Sequence, residues 1–182
     1  MKVIVAITAA SGAIYARQVL EQLVRSEQVE RIALIMSDNA ASVVEHEGEE
    51  LPVSEKIECM DNHSMFSSVA SGSAAWDAMI VVPSSMGTVG RVAAGVSQTL
   101  IERAADVMLK ERRRMIFVVR ETPYSLIHLR NMTTLTEAGA IILPASPSFY
   151  SHPQSVEQVA ATVVERVLVH AGISAPHYEF EG

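Results

Sequence analysis

Short aliphatic runs recur along the chain, each closed by small or polar residues and separated from the next by stretches of helical spacing. Residues 3–8, 32–36, 78–82, 115–119 and 141–143 are nearly continuous in β-branched and aliphatic side chains, the pattern of strands covered on both faces. Between them, Ala13, Ala16, Leu20, Leu23 and Val24 keep helical spacing, and Ser97 reads as the cap of a helix whose Leu100, Ala104, Val107 and Met108 face the core. Residues 124–138 read as a helix stopped by Gly139, and Pro153 precedes a last helix with a stripe of Val156, Val159, Ala160, Val163, Val167 and Leu168. Strand and helix in alternation predict an α/β fold with a doubly wound parallel sheet, in one domain spanning residues 1–182. Residues 48–73, with their charges, Pro52 and the Ser/Gly-rich run 67–73, read as a long excursion from that core. The tail 174–182 shows no period, and Tyr178 and Phe180 there are candidates for docking on a neighbouring subunit or for fraying.

In a parallel sheet the polar clusters that end the strands share one edge, where open α/β folds bind ligands. Those clusters are Thr8-Ala9-Ala10-Ser11-Gly12, Ser37-Asp38-Asn39, Pro83-Ser84-Ser85-Met86-Gly87-Thr88, Arg120-Glu121-Thr122-Pro123 and the stretch from Pro144 to Tyr150. The first turn lacks the dinucleotide pattern G-x-G-x-x-G and has no G-K-[S/T], so it is neither that fingerprint nor a P-loop. It can still offer a hydroxyl and backbone amides to a phosphate or a flavin edge, although taken alone it reads better as an ordinary βα turn in which Ser11 only caps the helix.

Composition narrows the function. A net charge of −7 argues against nucleic acid or a membrane surface as partner, yet six of the fourteen Lys and Arg residues lie between Arg103 and Arg120, which suggests an anion. One cysteine, Cys59, cannot form an internal disulfide, and the first hydrophobic run is too short for a signal peptide or membrane span, so the cytoplasm is the expected compartment. The six His residues, Cys59 and the carboxylates show no metal-ligand spacing.

The motifs taken in order are more specific. Thr-x-Ala-Ser-Gly-Ala-x-Tyr from Thr8, Ala70-Ser71-Gly72-Ser73, Pro83-x-Ser85-Met86-x-Thr88, Glu102-Arg103-Ala104-Ala105-Asp106, Arg120-Glu121-Thr122-Pro123 and Phe149-Tyr150-x-x-Pro153-Gln154-Ser155 together closely resemble the UbiX/Pad family of flavin prenyltransferases. The resemblance runs from Met1 to about Gly172. It implies a flavodoxin-like Rossmann fold, a homododecamer with active sites at subunit junctions, and no metal. The implied reaction joins a dimethylallyl group from dimethylallyl phosphate (or diphosphate) to N5 and C6 of reduced FMN. Its product, prenylated FMN, would serve UbiD-type decarboxylases.

The resemblance carries FMN binding onto Ala9, Ala10, Ser11, Ser37, Ser85, Met86, Gly87, Thr88 and Arg120, and the prenyl phosphate onto Lys110, Tyr150 and Arg166, with Arg103 as a further cation. Two cations and a phenol suit a phosphate. Glu47 matches a glutamate that works with the serine at Ser11 in proton transfer, with Glu45 a weaker candidate, and Glu121 matches one that steadies cationic character as the allyl–phosphate bond ionises. Plainer readings stand beside these: Ser37 as N-cap of a helix over 38–47, Arg120 in a surface pair with Glu121, and Arg103, Lys110 and Arg112 to Arg114 as a solvated helix end. Trp76 reads as packing, and His63 and His152 as loop histidines. Two positions depart from the commonest family pattern, Ala9 for Gly and Ser84 for Cys; the first would matter if a positive φ were needed. The alternative functions are an FMN-binding decarboxylase and a non-catalytic flavin carrier. A cysteine decarboxylase would need an early catalytic His and Pro-x-Met-Asn, where this chain has Pro83-Ser84-Ser85-Met86.

Overall fold

The computed structural model describes residues 1–174; Tyr178 and Phe180 lie outside the described residues. Six strands form one parallel sheet: β1 (Lys2–Ile7), β2 (Arg31–Met36), β3 (Ile57–Met60), β4 (Ala78–Ser84), β5 (Arg114–Val119) and β6 (Ile141–Pro144). Among the described residues, six α-helices lie between or after the strands: α1 (Ala13–Arg25), α2 (Ala40–His46), α3 (Met86–Ala93), α4 (Leu100–Lys110), α5 (Leu126–Glu137) and α6 (Val156–Ala171).

The nearly continuous hydrophobicity of the strands follows from the burial of both sheet faces. Because side chains alternate along a strand, Val3, Val5, Ile7, Ile80 and Val82 pack against α1, α2 and α6, whereas Ile4, Ala6, Met79, Val81 and Phe117 pack against α3, α4 and α5. Every residue of β4 is buried, which marks it as the centre of the sheet. Trp76 is 1% exposed within the second of these cores, with the Lys2 and Arg31 cations over its ring at 5.9 and 5.3 Å. It is a packing residue at the amino edge of the sheet.

Three expectations need correction. The excursion 48–73 contains a strand, β3, that pairs in parallel with β2, and only its four residues and mixed exposure hid it. The cap of α4 is Thr99, in a reciprocal box with Glu102, rather than Ser97. Ser85-Met86-Gly87-Thr88 is more than the polar end of a strand: Ser85 caps α3 and the other three residues form its first turn.

The strand order is β3-β2-β1-β4-β5-β6. Without the edge strand β3, the remaining five follow the flavodoxin-like order, with the reversal of winding between β1 and β4. The carboxyl ends of these two strands are stitched together: Thr8 donates its N–H (3.3 Å) and its hydroxyl (2.8 Å) to the Pro83 carbonyl, and Ser85 N–H donates to Thr8 Oγ1 (2.8 Å). The switch point is therefore a fixed rim, and the polar clusters open from it.

Candidate active site

The turn from β1 into α1 is built on Gly12, which has φ +113°. A Cβ at this position would lie 2.8 Å from the Tyr15 ring, so both conformation and space require glycine. Gly12 has no side chain with which to cap α1, and the helix takes its cap from elsewhere. The Glu47 carboxylate accepts N–H bonds from Gly12 (2.9 and 3.1 Å) and Ala13 (2.7 Å), and the Ser11 side chain bonds the same group. Partial burial pushes the Glu47 carboxyl up, but the bonds from Ser11, Ala13 and Gly12 and the charge of Arg120 together hold it below the ordinary carboxylate range. Tyr15 completes the cluster; burial raises its phenol and Arg120 opposes the rise.

Glu47 thus occupies the anion position at the head of α1. The amides of Gly12 and Ala13 do not stand open to a ligand phosphate. Nor does Glu47 project from a helix: α2 ends at His46, and Glu47 is its C-cap. Ser37 is likewise outside α2, whose N-cap position is Asn39. Glu45 is exposed on the outer side of α2 and takes no part.

Beside this cluster lies a cavity of about 230 Å³ lined by Ala9, Ser37, Asn62, Ser85, Thr88 and Arg91, among others. The Ser85 and Thr88 hydroxyls are 3.1 Å apart at the start of α3, and Arg91 approaches Thr88 Oγ1 at 3.4 Å. Three hydroxyls, a helix start and a guanidinium are donors of the kind a phosphate monoester takes, and the small side chain of Ala9 leaves room beside them; Asp38 and Glu102 line the same cavity, and Glu102 is paired with that guanidinium. Ala9 is not among the non-glycine residues with positive φ, so the methyl group creates no backbone strain. Met86 turns its side chain into the core, 7% exposed, and can offer a ligand only its backbone; Gly87 lies against Arg91, 3.2 Å from the site of a Cβ.

Sequence reasoning missed Asn62, Arg91 and Glu102. Asn62 sits in the supposed excursion and ties that segment to α4, accepting from Leu100 N–H through its carbonyl (2.8 Å) and from Ile101 N–H through its side chain (3.1 Å). Glu102 is 2% exposed; it pairs with Arg91 and accepts the N–H groups of Gln98 (2.8 Å) and Thr99 (3.0 Å). The S/T-x-x-E spacing of Thr99 and Glu102 was the available signal.

Of the second set of expected residues, Lys110 is held away from the crevice. Arg103 bonds the Ala70 carbonyl (3.2 Å) and Asp106 (2.6 Å) in the middle of its helix face. Lys110 pairs with Glu111 at the far end of α4. The first turn of α4 borders the crevice and its last residue leads into β5 at the opposite sheet edge, so about 15 Å of helix separates Lys110 from the crevice. Tyr150 is 67% exposed in the loop after β6, and Arg166 stands on α6 with His170 at 3.5 Å. Glu121 accepts from Thr122 N–H (2.9 Å) next to Arg120 and forms no ion pair with it. One chain assembles Ser11, Glu47 and Arg120 but does not bring Lys110 to them.

The sequence matches the flavoprotein family over residues 1–168. It is 44% identical to the flavin prenyltransferase UbiX of Thermoplasma acidophilum, over 95% of this chain and 96% of that one. The chain belongs to the UbiX-like flavin prenyltransferases. Among solved structures, it is similar to AnUbiX (PadA1) in complex with FMN and dimethylallyl pyrophosphate, with a TM-score of 0.92, 39% identity and coverage of 100% and 97% of the two chains. It also resembles the dodecameric FMN-dependent UbiX-like decarboxylase from Escherichia coli O157:H7, with a TM-score of 0.91, 36% identity and full coverage of both chains.

Proposed function

We propose that this chain transfers a dimethylallyl group from dimethylallyl phosphate or diphosphate to reduced FMN, forming prenylated FMN. The observation that carries the reading is the Ser11–Glu47–Arg120 cluster at the switch point, in a chain 39% identical along its length to a protein that binds FMN and dimethylallyl pyrophosphate.

The flavin, when bound, supplies its N5 and C6 as the carbon-bond-forming positions. The residues supply the rest. Ser37, Ser85 and Thr88 hold the FMN phosphate, Ala9, Ala10 and the backbone of Met86 and Gly87 line the ligand, and Arg120 holds the ring edge at the end of β5. Glu47, kept ionised by four partners, takes a proton by way of the Ser11 hydroxyl. Glu121 steadies positive charge on the allyl group. Arg103, Lys110, Tyr150 and Arg166 receive the departing phosphate, and a metal is not needed where three cations do this.

For Lys110 to act there, it must come from another copy of the chain. Leu126, Ile127, Phe149 and Tyr150 are 60–67% exposed on the α5 and post-β6 side, an apolar surface that a second copy would cover. A homododecamer with sites at its junctions, built from one domain of residues 1–182, meets this need. The product would pass to a UbiD-type decarboxylase, and the free Cys59 thiol suits the reducing cytoplasm.

The test is anaerobic incubation of the protein with reduced FMN and either donor, followed by the mass of the extracted flavin. A gain of one five-carbon unit is expected. Bound but unchanged FMN with both donors would overturn the reading in favour of a flavin carrier.

A further inference from the structure

Arg17 lies one helical turn beyond the amides that hold Glu47, and its side chain is only 17% exposed. All three of its guanidinium nitrogens are engaged: Nε with Glu49 (2.5 Å), one terminal nitrogen with Glu21 (3.0 Å) and the other with both oxygens of Glu157 (2.7 and 2.8 Å). These carboxylates come from α1 itself, from the segment after α2 and from the first turn of α6. A single exposed pair contributes little, but three carboxylates converging on one partly buried guanidinium fix each other's geometry.

Glu49 is two residues beyond Glu47, and Gly48 between them has φ +71° with nothing within 4 Å of where a Cβ would be. Backbone bonds to Val43, Glu45 and Val44 tie the segment to α2, and Leu51 packs on the core beyond it. Two carboxylates tie it to α1: Glu47 on the first-turn amides and Glu49 on Arg17. We infer that Arg17 is a positioning residue, which grips Glu49 and thereby keeps the Glu47 carboxylate seated on Gly12 and Ala13 beside Ser11. Arg17 acts through Glu49, since its nitrogens are all given to other carboxylates. The groups that face Glu47 directly are Ser11 and the two amides from the α1 turn, and Arg120 from the end of β5. The consequence for turnover rests on the prenyl-transfer reading, in which a catalytic group displaced by 1 Å loses on the order of a hundred-fold in rate.

The test compares Arg17→Met, Arg17→Lys and Glu49→Gln in the full-length protein with FMN added. It reads two quantities: hydrogen–deuterium exchange of a peptide holding Gly12 and Ala13, and the single-turnover rate of flavin prenylation. Arg17→Met and Glu49→Gln should speed exchange at Gly12 and Ala13 by about ten-fold while residues 19–23 of α1 stay protected, with a fall in transfer rate of between ten- and a hundred-fold. Arg17→Lys should restore much of both. Unchanged exchange at Gly12 and Ala13, or equal loosening along all of α1, would overturn the inference, as would faster exchange with an unchanged rate. If the unaltered protein transfers no prenyl group, the proposed function fails, yet the exchange measurement still decides whether Arg17 seats Glu47. Glu49→Gln keeps two of the three partners of Arg17, so it gives the answer if Arg17→Met does not fold.

Discussion

Around Ser11 one chain completes its own polar structure, with each group tied to backbone: Glu47 to the amides of α1, Thr8 to Pro83 and Ser85 to Thr88. Around Lys110, Tyr150 and Arg166 the groups stand on exposed surfaces, and Lys110 pairs with its own neighbour Glu111. The difference separates two physical demands. A planar acceptor that must be held in one orientation calls for rigid strand ends, whereas a phosphate that arrives and leaves tolerates long, flexible cations. Completing the second region only on assembly would link donor binding to the oligomer and exclude water as the copies close.

The sharpest way to break this division is to remove one member from each side. Glu47→Gln preserves an acceptor for the α1 amides but cannot take a proton, so prenyl transfer should fall by about 10²–10⁴ with FMN still bound. Lys110→Ala should cost about 10²–10³ in transfer, also with FMN binding intact. Mixed assemblies of the two inactive variants should then regain activity, because a junction can join an intact Lys110 from one copy to an intact Glu47 from another. Rates measured after co-assembly decide it: no recovery would mean that both residues serve a site within one protomer.

A smaller effect is expected from the turn that makes the first region rigid. Gly12→Ala combines a left-handed backbone with a contact to the Tyr15 ring, and should destabilise the fold by about 1–3 kcal/mol. Thermal unfolding would show it. FMN affinity should fall as well, since a shift in this turn moves Ser11; a loss of stability with full affinity would mean that the turn relaxes away from the crevice.

The two regions were not equally legible in the sequence. Strands β1, β2, β4, β5 and β6 announce themselves because burial on both faces demands continuous aliphatic runs. β3 does not, since an edge strand of four residues with Glu58 and Cys59 exposed carries no such constraint. Ser11, Ser37, Ser85 and Arg120 are expected from motif order, and their place at strand ends follows from topology. What stayed hidden are contacts between distant segments: Glu47 as the cap of a helix 34 residues earlier, or Asn62 as the partner of α4. No local period encodes a side chain that caps another element. The expectation of Glu47 came from resemblance, and the physical reason for its position, an α1 start with no side chain of its own to cap it, appears only in three dimensions.

The smallest effect concerns the border of the crevice, where Glu102 joins the two helices of the β4–β5 crossover. Burial, the largest single influence, pushes the Glu102 carboxyl up, but the bonds from Arg91, Gln98 and Thr99 outweigh it and leave it below the ordinary carboxylate value. A depressed folded-state pKa stabilises the fold fully above the unfolded value, and that stabilisation is lost as pH falls through the folded one. Glu102→Gln should therefore be less stable than the unaltered protein by about 1–2 kcal/mol near neutral pH, with the gap closing in acid. Glu47 titrates with the same sign, yet it is present in both proteins and cancels in the difference. Denaturant unfolding at a series of pH values measures the gap, and one that stays constant into acid would show that Glu102 contributes as a neutral cap. Because Arg91 is half exposed, part of the gap should also shrink with added salt, whereas the share from the Gln98 and Thr99 amides should not.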